Sequence, residues 1–398
     1  MSDEKSPHAL VVGAGIGGLA TAAGLARIGW RVTVFERSAD LRTSGAAISL
    51  LANATRSLDE LGAGPAVAAA SATMMPGGEG VRVPSGRRLM KRTDPDFVRE
   101  HGLSTIILSR AELHRALREL LPADCFRLGA KVTGVLNLPD GGAVLSYTDE
   151  QGDHTASADL VVGADGMNSG LRSELFPATA APVYSGHSVF RGIAEVSMPA
   201  EQGGTTWGRS SEIGRMPLAD GRVYWYAVVN ATPGLRHTDP RAEVLRRFGR
   251  WHAPIPELLA ATPTDTILYH DVYELADHLP SYVVDSTALL GDAAHAMTSD
   301  LGQGACQAIE DAVVLAAALA DAPTIAEGLA EYDRQRRPRS QSVVDASRRI
   351  GRMKLRDRRW EILVRNLMMR VTPPRAGERS MAVIGDWHPP ALAKRVST

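Results

Sequence analysis

The chain has 398 residues, 44% hydrophobic and 22% charged, with a net charge of −1. That length supports a large buried core and about two domains, and the near-neutral balance excludes a general attraction to nucleic acid or acidic membranes. Two cysteines, Cys125 and Cys306, are too few for a disulfide framework and lack metal-ligand spacing, so no metal site is expected.

The first fifteen residues, MSDEKSPHALVVGAG, carry no basic segment followed by an apolar one. No apolar run reaches the ~18 residues of a membrane span. A cytoplasmic protein with no membrane span is expected. ALVV, ahead of Gly13, is a short continuous apolar run, as in a strand buried on both faces. Ile16–Ile28 predicts a helix stopped by Gly29, and RVTVF predicts the next strand. TSGAAISLLANATRSLDELGAG predicts a glycine turn, a strand and a helix from near Asn53. Proline, glycine and charge between Met74 and Arg99 mark an excursion. IILSRAELHRALRELL returns to helical spacing, with Leu113, Leu117 and Leu120 on one face. AVLSYTDEQGDHTASADLVVGADG predicts a strand pair, a second buried strand and a second glycine turn. Short strands rich in Val, Tyr and Trp from Val183 to Tyr273 predict a mostly antiparallel sheet. STALLGDAAHA then predicts a buried strand and a third glycine turn, followed by helices.

The expected architecture is α/β. A discontinuous Rossmann-type domain takes residues 1–73, 100–180 and 274–398, the last segment including C-terminal helices. An inserted, mostly antiparallel sheet domain takes 74–99 and 181–273.

GAGIGG places Gly13, Gly15 and Gly18 in the GxGxxG pattern between a strand and a helix. The first glycine permits the turn, the second admits a pyrophosphate, and the third lets helix and strand pack closely. Glu36 ends the next strand, where a carboxylate can accept ribose hydroxyls. This spacing points to a dinucleotide but does not separate FAD from NAD. A tight turn that binds nothing is the plain alternative.

DLVVGADGMNSGLR and GDAAHAMTSDLGQGACQAIEDA resemble the second and third signatures of the single-component FAD-dependent monooxygenases. These are the flavoprotein aromatic hydroxylases with the p-hydroxybenzoate hydroxylase fold. The salicylate hydroxylase-like and zeaxanthin epoxidase-like branches are the nearest in character. The resemblance implies bound FAD, with Asp165 in the second glycine turn and Asp292 on the ribityl chain. It sets Gly302, Gly304 and Ala305 against the pyrophosphate and flavin, and Arg110 toward the phosphates. In ERSADLRTSGAAI, which resembles the segment crossing the flavin, Arg37, Arg42, Ala46 and Ala47 are the candidates.

The resemblance also implies NADPH or NADH as a transient co-substrate, and O2. A flavin C4a-hydroperoxide would then hydroxylate an aromatic or polyketide-like small molecule. Epoxidation, a reductase or halogenase-like activity, and a non-enzymatic flavin-binding accessory role are the alternatives. The halogenase signature WxWxIP is absent from the sequence.

Candidate pocket residues are Ser49, Arg191, Trp207, Met216, Tyr224 and Tyr226, for which core packing is the competing role. His295, as a proton carrier, and Ser299 are the weak catalytic candidates; a hydrogen-bonded structural histidine beside Ala293 and Ala294 is the competing role for His295, and no general base is assigned. Ser299 and Ala52 stand where this family usually carries proline. The basic stretch around RQRRPR reads as a solvated helix face, with no nucleic-acid partner expected. Trp360, Leu363, Val364, Leu367, Met368 and Val371 share one helical face, expected to dock on the protein itself or on a subunit. A monomer or a homodimer fits.

Overall fold

The computed structural model describes residues 6–41, 47–74, 80–90, 94–179, 181–199, 202–373, 379 and 382–392. The apolar run after residue 7 forms the strand His8–Val12 inside a six-stranded sheet. Across that sheet the order is Val283–Val284, Thr287–Leu289, Leu160–Gly163, His8–Val12, Arg31–Glu36 and Phe126–Leu128. All neighbours are parallel except the first pair, which forms an antiparallel edge. Ala9, Leu10 and Val11 are fully buried, as expected of a parallel strand covered on both faces. The helices Ile16–Arg27 and Gly304–Asp321 pack on one another beside this sheet. The second is buried almost all round, and its composition, rich in Ala, Val, Ile and Leu, suits that position.

A seven-stranded sheet forms the other half. Its order is Leu268–Glu274, Val183–Ala194, Val223–Asn230, Ser211–Pro217, Gly204–Trp207, Val81–Arg82 and Arg88–Met90. Alternation divides Val223–Asn230 cleanly. Trp225, Ala227 and Val229 enter a core with Phe190, Phe248 and Leu259. Tyr224, Tyr226 and Val228 face the other way, toward the nucleotide-type half. The register aligns Arg191 with Tyr226, and Tyr226 with Gly214, in one row across the sheet. Between the halves lies a small antiparallel sheet of Ala47–Leu50, Thr105–Ser109 and Ala72–Met74.

The C-terminal helix Ile325–Lys354 packs along Gly304–Asp321. The helix Arg359–Val371 follows, seated through Arg365 and Met369. On its other face Trp360, Leu363, Val364, Leu367, Met368 and Val371 are all exposed, so among the described residues that face does not dock on the protein itself, the first of the two expected partners. No described helix is long and apolar enough to cross a membrane.

Candidate active site

The three glycine turns converge at the C-terminal ends of neighbouring parallel strands. Gly13 has φ +102°, and an added Cβ would stand 2.5 Å from the Ala164 carbonyl oxygen. At Gly18 the Cβ would stand 1.9 Å from the Gly13 carbonyl oxygen. Gly13 is therefore required by its positive φ and by the second turn packed against it, and Gly18 by the close packing of the first turn itself. Gly15 is different: a Cβ there meets nothing within 4 Å, and the residue lines an open cavity.

Several side chains brace this loop. Glu36 accepts hydrogen bonds from the Ala14 N–H (2.9 Å) and the Ser38 N–H (2.8 Å). His114 donates from Nε2 to the Ala14 carbonyl at 2.8 Å, and burial pushes its pKa down. Arg172 ties the second turn to the third, donating to the carbonyls of Met167 (2.7 Å) and Ala293 (3.1 Å). Asp165 accepts from the Leu171 N–H at 3.3 Å through one oxygen, while its other oxygen is buried without a hydrogen-bond partner.

The cavity has a volume of about 840 Å³. One wall holds Gly15, Ala47, Arg110, Gly166, Asp292, Gly302, Gly304 and Ala305. Ser49 and Ser299 lie on the same cavity. The opposite wall is the sheet face, with Arg191, Trp207, Met216, Tyr224 and Tyr226. Burial raises the Tyr224 hydroxyl, against a lowering by Arg191, and raises Tyr226 further, where the Glu212 charge adds to the effect. The structure thus brings the six proposed pocket residues and half of the proposed cofactor residues around one space.

Six described candidates stand elsewhere. Gly13, Gly18 and Asp165 support the wall from behind, and Glu36 holds the loop backbone. Arg37 is exposed and outside the cavity wall. Arg42 and Ala46 lie outside the described residues. His295 is also absent from the wall: it is buried, with Nε2 2.6 Å from Asp311. Its neighbours Ala293 and Ala294 are equally buried, so the turn faces it inward, away from the proton-carrier position considered from sequence.

Ser299 and Ala52 each occupy the first helical position after an extended residue. Thr298 (ψ 154°) precedes the 3₁₀ turn Ser299–Leu301, and Leu51 (ψ 170°) precedes the helix Ala52–Leu61. Proline is favoured at that position because its missing N–H has no helical partner to lose. Serine and alanine fill it with the same backbone.

The described residues suit FAD. Two helices, starting at Ile16 and Gly304, begin without a side-chain cap or an acid in the first turn, and both open on the cavity. Such ends favour phosphate. Gly15 leaves room for that phosphate, and Asp292 presents a carboxylate to the same space.

The family described as an FAD binding domain matches residues 7–347. This chain belongs to that family. It is an FAD-dependent monooxygenase. It is 36% identical to the aurachin C monooxygenase/isomerase of Stigmatella aurantiaca, over 91% of this chain and 93% of that protein. It is 32% identical to an FAD-dependent urate hydroxylase of Klebsiella pneumoniae, over 86% and 88% of the two chains. Among solved structures, Klebsiella pneumoniae HpxO complexed with FAD and uric acid superposes with a TM-score of 0.85 at 29% identity, covering 95% of this chain and 96% of that one. A salicylate hydroxylase substrate complex shares the fold, with a TM-score of 0.74 at 24% identity.

The monooxygenase also has cavity residues that sequence inspection missed. Glu212, His270, Asp300 and Lys354 all lie on the wall. Glu212 was within reach, because it sits on the same strand face as Met216, four residues away. Lys354, at the end of a long helix, gave no local signal.

Proposed function

We propose that this monooxygenase hydroxylates a small planar aromatic or heteroaromatic compound held between the 291–304 loop and the seven-stranded sheet. NADPH or NADH serves as the transient electron donor and O2 as the oxidant. The observation that carries this is one cavity walled by uncapped helix N-termini and glycine turns on one side and by an aromatic sheet face on the other. The relatives that hydroxylate urate support a planar substrate.

When bound, FAD supplies the redox chemistry that activates O2. The chain's own residues do the rest. Gly15 and Gly304 offer backbone N–H groups to phosphates, Arg110 adds positive charge, and Asp292 accepts hydroxyl hydrogen bonds. Ala47 and Ser49 flank the cofactor side. Trp207, Met216, Tyr224 and Tyr226 exclude water and orient a flat substrate, and Arg191 offers a cation at mid-sheet.

Purified protein should be yellow and release FAD on denaturation. It should oxidise NADPH faster when its substrate is added, giving a product heavier by one oxygen. Colourless protein with no flavin in the denatured supernatant would sink the proposal.

A further inference from the structure

One corner of the cavity is ionic although it is almost closed to water. Glu212 projects from the strand Ser211–Pro217 with its side chain 1% exposed, and Lys354 ends the long helix with its side chain 8% exposed. Their charged atoms are 3.1 Å apart. Lys354 also donates to the Asp300 carbonyl at 2.8 Å and stands 4.0 Å from the Asp300 carboxylate, so two of its three N–H donors are hydrogen-bonded and one has no partner within hydrogen-bond distance. Glu212 accepts from the Tyr226 hydroxyl at 3.0 Å and from Lys354, so about two of its roughly four acceptor positions remain. Flat apolar sides complete the corner. Trp207 lies 5.8 Å below the ammonium, and Met216 and Val228 lie on the same wall.

Burying an ion pair gives no stability over apolar side chains of the same volume. Here the pair keeps an unused donor and unused acceptors, side by side, facing the space where a substrate would sit. A hydrocarbon would leave both groups uncovered. A carboxylate placed here would meet the like charge of Glu212.

We propose that the Glu212–Lys354 corner selects a planar heteroaromatic substrate with an N–H donor directly beside an oxygen acceptor, as in a lactam. Glu212 accepts from the N–H and Lys354 donates to the oxygen. Because Lys354 is tied to Asp300, in the loop that carries Gly302 and Gly304, the recognised edge is fixed relative to the cofactor wall. This assignment rests on the cavity being the substrate site of the proposed hydroxylase.

The test is binding to the FAD-loaded enzyme without NADPH, read by tryptophan fluorescence, with carbostyril (a bicyclic lactam) and its N-methyl derivative as probes. Methylation removes the N–H and keeps the ring and oxygen. The wild type should bind carbostyril roughly ten- to a hundredfold more tightly, the range of a lost charge-assisted hydrogen bond. The double variant Glu212→Met/Lys354→Met removes both ions together and should fold, load FAD and bind the two probes alike. Glu212→Gln, close in shape to the native side chain, should narrow the preference without abolishing it.

Equal binding of the two probes by the wild type would overturn the assignment. So would an undiminished preference in the double variant, or no binding of either probe up to millimolar concentration. Lactam-selective binding with no turnover of any compound would sink the hydroxylase reading and leave the corner's selectivity standing. Turnover of another aromatic by an enzyme that ignores both probes would do the reverse.

Discussion

The loop from Gly291 to Gly304 lies between two buried ionic clusters that differ in one respect. Behind it, Glu310 and Asp311 meet Arg336, Arg339 and His295, and every carboxylate oxygen accepts at least one hydrogen bond. In front of it, Glu212, Lys354 and Asp300 face the cavity, and one Asp300 oxygen has no hydrogen-bond partner. His187 stands 4.0 Å from that oxygen, its pKa lowered by burial against the opposing pull of Asp300. Burial of charge therefore does not by itself mark a binding site. The carboxylates of the first cluster are satisfied internally and fix the loop, with only the Nδ1 edge of His295 unpartnered; the second keeps carboxylate capacity, facing the cavity, that only a ligand or water can use.

Breaking the closed cluster should have the largest effect. Arg336→Met leaves Glu310 and Asp311 buried with one cation removed, which costs on the order of 3–5 kcal/mol of unfolding free energy in urea. A loss below about 1 kcal/mol would mean that water or Arg339 compensates, and the contrast between the clusters would weaken. Replacing Glu212 and Lys354 together should instead leave stability unchanged or raise it.

Acid sharpens the same comparison. Burial alone would raise the Asp311 carboxyl, but the charges of His295 and Arg336 and the Gly291 N–H outweigh it and hold the pKa at about 2. A folded pKa below the usual 3.8 stabilises the fold above the unfolded value, and that contribution disappears as pH falls toward 2. It amounts to about 2 kcal/mol. Urea midpoints followed from pH 5 to pH 2 should fall steeply in the wild type. Asp311→Asn should show a shallower decline, and equal slopes would contradict the placement.

On the open side, Gly214 is the sensitive point. An added Cβ would stand 2.2 Å from the Tyr226 ring, which lies across that strand. Gly214→Ala should cost about 1–3 kcal/mol, raise KM for the substrate by shifting Tyr226, and leave FAD content unchanged. Loss of FAD instead would show that the sheet and the cofactor loop are not separable.

Ser299→Pro should have the smallest effect. The extended Thr298 and the first-turn position of Ser299 already suit proline, so stability should rise by about 0.4–1 kcal/mol. Unchanged coupling of NADPH use to product would assign Ser299 a purely conformational role, and uncoupling would give its hydroxyl a part in the chemistry.

The two sides of the cavity were unequally legible in the sequence. The glycine turns could be read because the need for these glycines shows locally: Gly13 takes a positive φ, and Gly18 packs against the Gly13 carbonyl within one strand–turn–helix unit. Tyr224, Tyr226 and Met216 could be named from alternation along single strands. The ionic corner could not, since it joins a strand at Glu212, a turn at Asp300 and a helix end at Lys354, and only tertiary packing brings them together. His295 carries the complementary lesson, because proximity in sequence to Asp292 says nothing about which way a short turn faces its side chain. The exposed apolar face of Arg359–Val371 belongs with these, since amphipathic spacing reveals a stripe but not what covers it.

The most direct measurement of the central claim is a reaction of the FAD-loaded enzyme with NADPH, isotopically labelled O2 and a panel of planar heteroaromatic lactams, analysed by mass spectrometry. The account predicts a product that carries one labelled oxygen atom, with NADPH consumed in step. NADPH oxidation that yields only hydrogen peroxide, with no labelled product from any lactam or other aromatic compound, would contradict it.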